Sequence, residues 1–308
     1  MNEITQLCKA VGDETRIRLI NVLSKFELNV GEIVSVLEIG QPRVSRHLKI
    51  LSDAGLLQSR RDGLWVFYCT MTENPGREFV KALKPFLKSD SLLRQDMHRA
   101  HGVVEERVQA TRRFFDTVAH KWPTMSAEIL GDLDLAVEIM HRMPDCDVAV
   151  DLGCGPGDLL PTLSRRAYQV IGVDNSRKML DLASQRVARS GKVSLRIGDM
   201  AHLPLKDGEA GFAVMSMVLH HLDSPQAALR ETARILVPGG RLVIADFSSH
   251  ENEAMRAQYG DRWLGFGTQR LQTWLEQSGF VFRDATPMPV RKGLTLVLTE
   301  AIKRDGGT

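Results

Sequence analysis

The sequence predicts an α/β protein in which a front domain rich in α-helix precedes a larger domain with a doubly wound parallel sheet. In the larger domain, strand-like apolar runs alternate with helical stretches from residue 148 onward, a pattern typical of a sheet covered by helices on both faces. Residues 1–88 instead show short helices with apolar residues three and four positions apart, followed by one hairpin signal. A chain of 308 residues has room for about two domains.

Composition and charge narrow the functional class. The four cysteines are scattered without a C-x-x-C pair, which argues against a disulfide framework or a structural zinc site and favours a reducing cytoplasm. No apolar run approaches the ~20 residues of a membrane span, and no secretion signal is present, so we expect no membrane contact. Residues 1–88 carry 13 Lys and Arg against 10 Asp and Glu, whereas residues 116–308 carry 22 against 24, which indicates different partners for the two parts.

The first helices are set by apolar spacing and by a break at Gly12–Thr15. Apolar residues on either side of this break predict two amphipathic helices, with Asp13 as the N-cap of the second. A third helix is predicted over Val30–Leu37. The next segment, from Gln41 to Leu51, begins with a proline in its first turn, where proline costs no intrahelical hydrogen bond.

The segment from Gln41 to Leu51 has the character of a DNA-recognition helix. Val44, Leu48 and Leu51 share one face, and the remaining positions are polar or cationic. A short helix, a tight turn and a helix with a cationic outer face form the helix-turn-helix pattern, whose second helix enters the major groove. An alternative is that this face is merely solvated and that the domain contacts only protein. The candidate DNA-binding residues on this helix are Gln41, Arg43, Ser45, Arg46, His47 and Lys49.

A hairpin follows the recognition helix. Asp62-Gly63 between two strand-like runs predicts a two-residue turn, and Arg60 and Arg61 lie beside its tip, within reach of DNA phosphates. This completes a winged helix. The stretches Gly12–Arg16, Gln41–Leu51 and Ala54–Leu57 resemble the ArsR/SmtB family of bacterial repressors. The resemblance implies a homodimer that binds an inverted-repeat operator, and hence a bacterial cytoplasmic protein associated with the nucleoid.

Members of this family often sense metals, but the matching ligand positions are incomplete. Where metal sensors carry a cysteine pair, this chain reads Glu27–Gly31 without a thiol. Asp96-Met97-His98 resembles the first half of another ligand set, but Gln109 and Arg112 stand where the partners belong. We therefore predict no metal site.

The domain boundaries follow from these patterns. We predict a winged-helix DNA-binding and dimerisation domain over residues 1–88, a helical linker over 89–115 and a Rossmann-like domain over 116–308. The last two strand-like runs of this domain, Phe280–Arg283 and Leu294–Thr299, have no helix between them and predict an antiparallel hairpin at the sheet edge.

The stretch from Asp151 to Asp158 predicts the ligand site. Glycines at 153, 155 and 157 follow a buried strand, but Asp158 occupies the position where the dinucleotide fingerprint requires glycine. Asp151 would repel a pyrophosphate and attract a cation. Asp174 ends the second strand, where an acid accepts hydrogen bonds from ribose, and Asp199 ends the third. Three acids at successive strand ends favour S-adenosylmethionine, which carries a sulfonium and an ammonium, or its product S-adenosylhomocysteine.

These residues, together with Gly198–Pro204, Val218–Leu222 and Val237–Gly240, resemble class I S-adenosylmethionine-dependent methyltransferases near the quinone-biosynthesis C-methyltransferases. The resemblance implies that the methionine part contacts the glycine loop, the ribose Asp174 and the adenine Asp199 and Met200. His220 and His221 are weak catalytic candidates, because packing explains them equally well. The predicted cofactor-binding residues are Asp151, Gly153, Gly155, Asp174, Asn175, Asp199, Met200 and Met217.

Two functions remain open. The first is a transcriptional repressor whose operator binding responds to S-adenosylmethionine or S-adenosylhomocysteine. The alternative is an active methyltransferase of a small-molecule acceptor, with a DNA-binding domain that regulates its own gene.

Overall fold

The computed structural model describes residues 3–71, 73–87 and 90–305. The chain divides into two compact units, Met1–Val108 and Gln109–Thr308, and the division falls within a long helix, Ser91–Val118. The predicted boundaries of the front domain, linker and rear domain stay a prediction, and the border between residues 88 and 89 lies outside the described residues. No helix in the described ranges is both long and apolar enough to cross a bilayer.

The first unit is a winged helix-turn-helix, as predicted. Its three strands form an antiparallel sheet in the order β1–β3–β2. Its core is aliphatic and includes Leu19, Ile33, Val44, Leu48 and Leu51. The elements are α1 (Glu3–Val11), α2 (Glu14–Leu23), β1 (Leu28–Asn29), α3 (Val30–Leu37), α4 (Gln41–Asp53), β2 (Leu57–Asp62), β3 (Trp65–Thr70), α5 (Asn74–Leu87) and α6 (Ser91–Val118), which continues past this unit.

Local hydrogen bonds explain where the helices of the first unit begin. The Asp13 carboxylate accepts from the Arg16 N–H at 3.1 Å, which makes Asp13 the N-cap of α2, as predicted. Asn29 and Glu32 form a reciprocal capping box at the start of α3. Pro42 lies in the first turn of α4, as predicted.

The hairpin turn lies one residue later than predicted. Asp62 still pairs with Trp65 across the strands, so the two turn residues are Gly63 and Leu64 rather than Asp62 and Gly63. Gly63 has φ 57°, whereas Leu64 has a negative φ, so glycine serves as the first central residue of the turn. The Asp-Gly signal located the hairpin correctly, but the register depends on strand pairing that two residues cannot specify.

The second unit is a seven-stranded sheet in the order β6–β5–β4–β7–β8–β10–β9. Strands β4 to β8 are parallel, and the final pair forms the predicted antiparallel hairpin. Its strands are β4 (Cys146–Leu152), β5 (Ala167–Asp174), β6 (Val193–Ile197), β7 (Ala210–Ser216), β8 (Leu236–Phe247), β9 (Phe280–Pro289) and β10 (Thr295–Lys303). Its helices are α7 (Trp122–Leu130), α8 (Leu135–Arg142), α9 (Leu160–Leu163), α10 (Arg177–Val187), α11 (Pro225–Ile235), α12 (Ala254–Tyr259) and α13 (Thr268–Gln277).

Both faces of this sheet are buried. Successive residues of β4 belong to different apolar clusters, Ala149 to one and Val150 to the other. A strand that is covered on both faces has a nearly continuous run of apolar residues. This is why the apolar runs in the sequence predicted a doubly wound sheet. The chain passes from β4 outward to β5 and β6 and then returns to β7 on the other side of β4. Ligands of such sheets bind at this switch point, beyond the carboxyl ends of the strands.

Candidate functional site

The glycine loop follows β4 at the switch point. The N–H groups of Gly153 and Cys154 donate to the carbonyl of Val173 at 2.8 and 3.0 Å, so the loop is tied to the end of β5. Gly153, Gly155 and Gly157 all have positive φ, at 76°, 50° and 82°. A side chain would be strained at each of these positions, and glycine therefore allows the sharp turn.

Two of these glycines differ in what surrounds them. A methyl group at Gly153 would lie 2.4 Å from the Val218 side chain, so close packing excludes it. A methyl group at Gly155 would meet no atom within 4 Å. Gly153 therefore allows packing within the protein, whereas Gly155 borders open space that a ligand can fill.

Two buried acids border the loop. Asp151, at the end of β4, and Asp174, at the end of β5, are 2% and 9% exposed. Burial, together with the nearby Asp174, raises the pKa of Asp151 to about 7. Burial also raises the pKa of Asp174, although hydrogen bonds from the N–H groups of Ser176 and Gly155, at 2.8 and 2.9 Å, counteract the rise. Such burial is unfavourable for anions, and a bound cation would relieve it.

The other predicted cofactor residues lie at the neighbouring strand ends. Asn175 directly follows β5 and is half-buried. Asp199 is exposed and accepts from the Ala201 N–H at 2.7 Å, whereas Met200 is buried among apolar residues. Met217, just after β7, has φ 56°, which is unusual for a residue with a side chain. Strained backbone of this kind concentrates at functional sites. The binding roles of these residues stay predictions.

Sequence reasoning missed one acid beside this loop. The Ser176 hydroxyl donates to Asp116 at 2.6 Å, and Asp116 contributes to the raised pKa of Asp174. Asp116 precedes Ser176 by 60 residues, so only the tertiary structure brings it near. Asp158, by contrast, forms an ion pair with Arg186.

The catalytic candidates lie at the ends of β7 and β8. Asp246 is the penultimate residue of β8. Its carboxylate lies 2.7 Å from Nδ1 of His220 and accepts from the His220 N–H at 3.2 Å. Burial lowers the pKa of His220, but the carboxylates of Asp246 and Asp261 outweigh this effect and raise it to about 8. Burial, followed by the neighbouring His220, lowers the pKa of His221. The stretch Ala245–Phe247 also resembles the methyltransferases, but the sequence assigned no role to Asp246 and did not indicate Asp261. The catalytic role of the histidines stays a prediction.

In the first unit, the structure exposes most of the predicted DNA-binding residues of α4. Val44, Leu48 and Leu51 are at most 1% exposed, as their shared face predicted. The polar face therefore points away from the core. The exposed predicted residues of α4 are Gln41, Arg43, Ser45, Arg46 and Lys49.

Two other predicted DNA contacts have partners within the protein. His47 is 9% exposed, lies 3.8 Å from Asp13, and has a pKa lowered mainly by burial. Arg60 forms ion pairs with Glu27 and Asp62 at 2.9 and 2.7 Å. Arg61 is exposed. DNA contact by these residues stays a prediction, and Arg61 is the most accessible of the three.

The stretch of α6 that resembles half of a metal-ligand set has another role in the structure. Asp96 is fully buried and accepts hydrogen bonds from the guanidinium groups of Arg18, at 2.7 and 2.9 Å, and of Arg99, at 2.9 Å. His98, in contrast, is exposed. The carboxylate therefore binds two cationic side chains of the protein.

Comparison with known families gives two matches. Residues 13–59 match the family described as bacterial regulatory protein, arsR family, and residues 150–244 match the methyltransferase domain family. A demethylmenaquinone methyltransferase of Symbiobacterium thermophilum is 30% identical over 175 residues, covering 53% of this chain and 68% of that protein. The corresponding enzyme of Corynebacterium kroppenstedtii is 30% identical over 154 residues, covering 49% and 65%.

Other matches are shorter or show the fold alone. A 37.1 kDa protein in a Streptomyces fradiae transposon is 43% identical over 101 residues, covering 32% of this chain but only 29% of its own length. The Burkholderia thailandensis 1,6-didemethyltoxoflavin-N1-methyltransferase, solved with S-adenosylhomocysteine, aligns with a TM-score of 0.55 and 22% identity over 65% of this chain and 90% of its own. The [4+2]-cyclase SpnF aligns equally well, with a TM-score of 0.55 and 18% identity over 63% and 95%.

The chain thus spans less than two thirds of the length of the first two curated relatives, at 29% and 65%. The structural matches confirm the fold, and the cyclase shows that this fold does not by itself determine the reaction. The chain belongs to the methyltransferase domain family through its second unit and carries a DNA-binding domain of the bacterial arsR regulatory family in its first.

Proposed function

We propose that the chain is a DNA-binding transcriptional repressor whose operator affinity responds to S-adenosylmethionine or S-adenosylhomocysteine. The main support for this proposal is the pair of buried acids, Asp151 and Asp174, beside the open space at Gly155. The charged group that most affects Asp151 is another acid, so the site favours a positively charged ligand. Such a repressor acts as a homodimer on an inverted-repeat operator, at the nucleoid of a bacterial cytoplasm.

The residues fit this cofactor. Asp151 would face the cationic methionine part, beside Gly153 and Gly155. The two oxygens of Asp174 accept hydrogen bonds from the backbone N–H groups of Gly155 and Ser176 and retain lone pairs for ribose hydroxyls. Asp199, as an exposed acceptor, would bind the adenine amino group, with the remaining predicted residues alongside: Asn175, Met200 and Met217.

The two forms of the cofactor differ by one methyl group and one positive charge. A pocket with two buried acids therefore binds the sulfonium form with a different affinity from its neutral-sulfur product. A regulator responds to a ligand only if its DNA-competent and DNA-incompetent states bind that ligand with different affinities. Through the acid pair, operator affinity can therefore depend on the ratio of S-adenosylmethionine to S-adenosylhomocysteine.

The DNA-binding half of the proposal is supported by the exposed cationic face of α4. Arg43 and Arg46 have the side chains that read guanine edges, Ser45 and Gln41 suit bases or phosphates, and Lys49 suits phosphates. The Lys49 ammonium lies 3.1 Å from Asp53, and both side chains are exposed. A DNA phosphate can therefore take the place of the Asp53 carboxylate beside Lys49.

The test is fluorescence anisotropy with an operator duplex that the full chain selects from a random-sequence library. Operator affinity should change several-fold when S-adenosylmethionine or S-adenosylhomocysteine is added at saturation. Arg46→Ala should weaken operator binding and leave cofactor binding intact, and Lys81→Ala, which removes an exposed cation from α5, should change neither. Operator affinity that is insensitive to both ligands contradicts the proposal.

A second candidate function is methyl transfer to a small acceptor, and the cluster of His220 and Asp246 favours it. This buried polar pair lies at the same sheet edge as Asp151, although cofactor binding alone does not require it. S-adenosylmethionine supplies the methyl group, and the chain contributes mainly the alignment of donor and acceptor. The quinone methyltransferases among the relatives make an electron-rich ring the first acceptor class to test.

Turnover separates the two functions. The full chain is incubated with methyl-labelled S-adenosylmethionine and a bacterial metabolite extract, with Asp151→Asn as the control that lacks the proposed cofactor contact. Labelled product that depends on Asp151 supports the enzyme. Cofactor binding without labelled product supports the sensor.

A further inference from the structure

Three buried groups outside the cofactor loop lie close together in the second unit. His220 and His221 belong to the single-turn helix Leu219–His221 after β7, and Asp261 lies just after α12. The three residues are 1%, 5% and 5% exposed, and one potential ligand atom from each lies within 4.8 Å of the others. We call these residues the His-His-Asp cluster.

The ring nitrogen Nδ1 of each histidine already lies beside a hydrogen-bond acceptor. Nδ1 of His220 lies 2.7 Å from an Asp246 oxygen, and Nδ1 of His221 lies 3.2 Å from the Gly260 carbonyl. A carboxylate or carbonyl at Nδ1 places the ring proton there. Nε2 of each ring is then the atom left for a ligand bond, and a metal ion that binds there displaces any proton on it.

The inner atoms of the cluster lack donors. Within the described ranges, Nε2 of His221 and both carboxylate oxygens of Asp261 have no hydrogen-bond partner. Nε2 of His220 is 3.6 Å from an Asp261 oxygen, which is longer than a hydrogen bond. Buried acceptors without donors are costly, so these converging acceptors favour a positively charged species between them.

We infer that the His-His-Asp cluster binds one divalent first-row transition-metal ion. Two imidazole nitrogens and one carboxylate are the ligand set of catalytic zinc and of non-haem iron(II), and the nitrogens disfavour magnesium and calcium. Asp246 supports this assignment, because a carboxylate on the far nitrogen of a metal-binding histidine holds the ring in place. Three protein ligands leave at least one coordination position open.

The aromatic surroundings of the cluster are consistent with a metal site. The ring of Phe115 packs edge-on against His221 at 4.7 Å between centroids, and Phe247 lies 5.0 Å from His220. Such a shell limits access of water to a bound ion. The inference departs from the sequence prediction of no metal site, and it does not depend on whether the cofactor acts as substrate or as signal.

Cobalt(II) is the probe, because its visible absorption reports its ligands. The full chain is produced without an affinity tag in cells supplied with Co²⁺, and bound metal is measured after gel filtration. We expect one Co²⁺ per chain, and X-ray absorption should show two imidazoles. Asp261→Asn and His221→Gln should abolish the bound Co²⁺, whereas Asp246→Asn should weaken binding about 10- to 100-fold.

The matched control removes the exposed histidines of α6. His98→Ala combined with His101→Ala should leave both the stoichiometry and the spectrum unchanged. Circular dichroism and cofactor binding verify that the cluster variants fold. Absence of bound Co²⁺ from the wild-type chain, a spectrum without imidazole ligands, or loss of Co²⁺ only in the α6 variant overturns the inference. The spectroscopy of the wild-type chain decides the question even if a cluster variant fails to fold.

Discussion

At the scale of single residues, Asp151 links the chemistry of the pocket to pH. Its pKa of about 7 means that near neutral pH the carboxyl group is protonated in part of the free protein. A cationic ligand favours the ionised form, so binding releases a proton below pH 7. The same raised pKa lowers the stability of the folded unit as the pH rises from about 4 to about 7, because the folded state holds the proton longer than the unfolded one.

We therefore expect the affinity for S-adenosylmethionine to rise with pH up to about 7 and to level off above it. The rise should approach tenfold per pH unit at most. Isothermal titration calorimetry at several pH values measures this dependence. Asp151→Asn should weaken binding and flatten the profile, whereas Asp158→Asn, on the same loop but paired with Arg186, should preserve it. A wild-type affinity that does not change between pH 6 and pH 8 would contradict this account.

Gly153 and Gly155 allow packing and ligand binding to be tested separately. Gly153→Ala places a methyl group against Val218 and should destabilise the second unit by roughly 1–3 kcal/mol beyond the cost of its positive φ. Gly155→Ala incurs only the conformational cost, about 1–2 kcal/mol, but should reduce cofactor affinity because its methyl group enters the open space. Urea denaturation and calorimetry together distinguish the two effects. Equal losses of stability and of affinity in both variants would mean that the loop acts as one unit.

At the scale of elements, α6 is attached to the first unit by a buried ion-pair network. Asp96 of α6 contacts Arg18 of α2, and Arg18 and Arg99 donate to the carbonyls of Leu37 and Val36, both at 2.8 Å. The network therefore connects three helices through one carboxylate. Its strength depends on the complete set of partners, because the charges of Asp96 and Arg18 are largely removed from water.

Asp96→Ala should accordingly destabilise the first unit by roughly 3–5 kcal/mol, since it leaves the buried guanidinium group of Arg18 without its carboxylate, whereas the half-buried Arg99 keeps its ion pair with Glu38. Asp53→Ala removes one partner of the exposed pair with Lys49 and should cost no more than about 1 kcal/mol. Chemical denaturation followed by circular dichroism measures both changes. If the two substitutions cost the same, the network contributes little to the attachment of α6.

The elements also show what sequence can and cannot predict. Asp151, Asp174 and Asp199 were predicted together because parallel strands bring their carboxyl ends to one edge, which apolar runs reveal directly. Asp261 was missed because its position beside His220 depends on how the chain folds back after α12. Asp246 lies in the stretch Ala245–Phe247, which resembles the methyltransferases, but its contact with His220 joins residues 26 apart in sequence and could not be predicted. Arg60 was predicted to contact DNA because of its place in the hairpin. In the structure it pairs with Glu27, which is 33 residues away in sequence, so the local pattern could not predict this partner. Local periodicity predicts elements, whereas long-range polar contacts require the tertiary structure.

At the scale of the whole molecule, the proposed regulation has a thermodynamic consequence. If S-adenosylmethionine changes operator affinity by some factor, the operator must change S-adenosylmethionine affinity by the same factor. Titrating the cofactor into the free chain and into the operator complex should give the two affinities. A mismatch between the two factors would mean that the ligand acts on oligomeric state or on stability rather than through linked binding. Arg46→Ala, which lacks operator binding in this scheme, is the control that should show one affinity under both conditions.

The strand order of the second unit also has a consequence for its synthesis. Among the described strands, β9 pairs with β10 alone, and β10 lies between β9 and β8. While the ribosome is still translating residues 295–303, β8 has an unpaired edge and β9 has no partner in the sheet. The strands of the first unit, β1 to β3, end at Thr70 and are therefore synthesised much earlier. The winged-helix unit of a nascent chain can therefore fold before the sheet of the second unit is complete. Ribosome pausing near residue 290 would prolong the interval in which the edge of β8 is unpaired, and unpaired sheet edges promote aggregation.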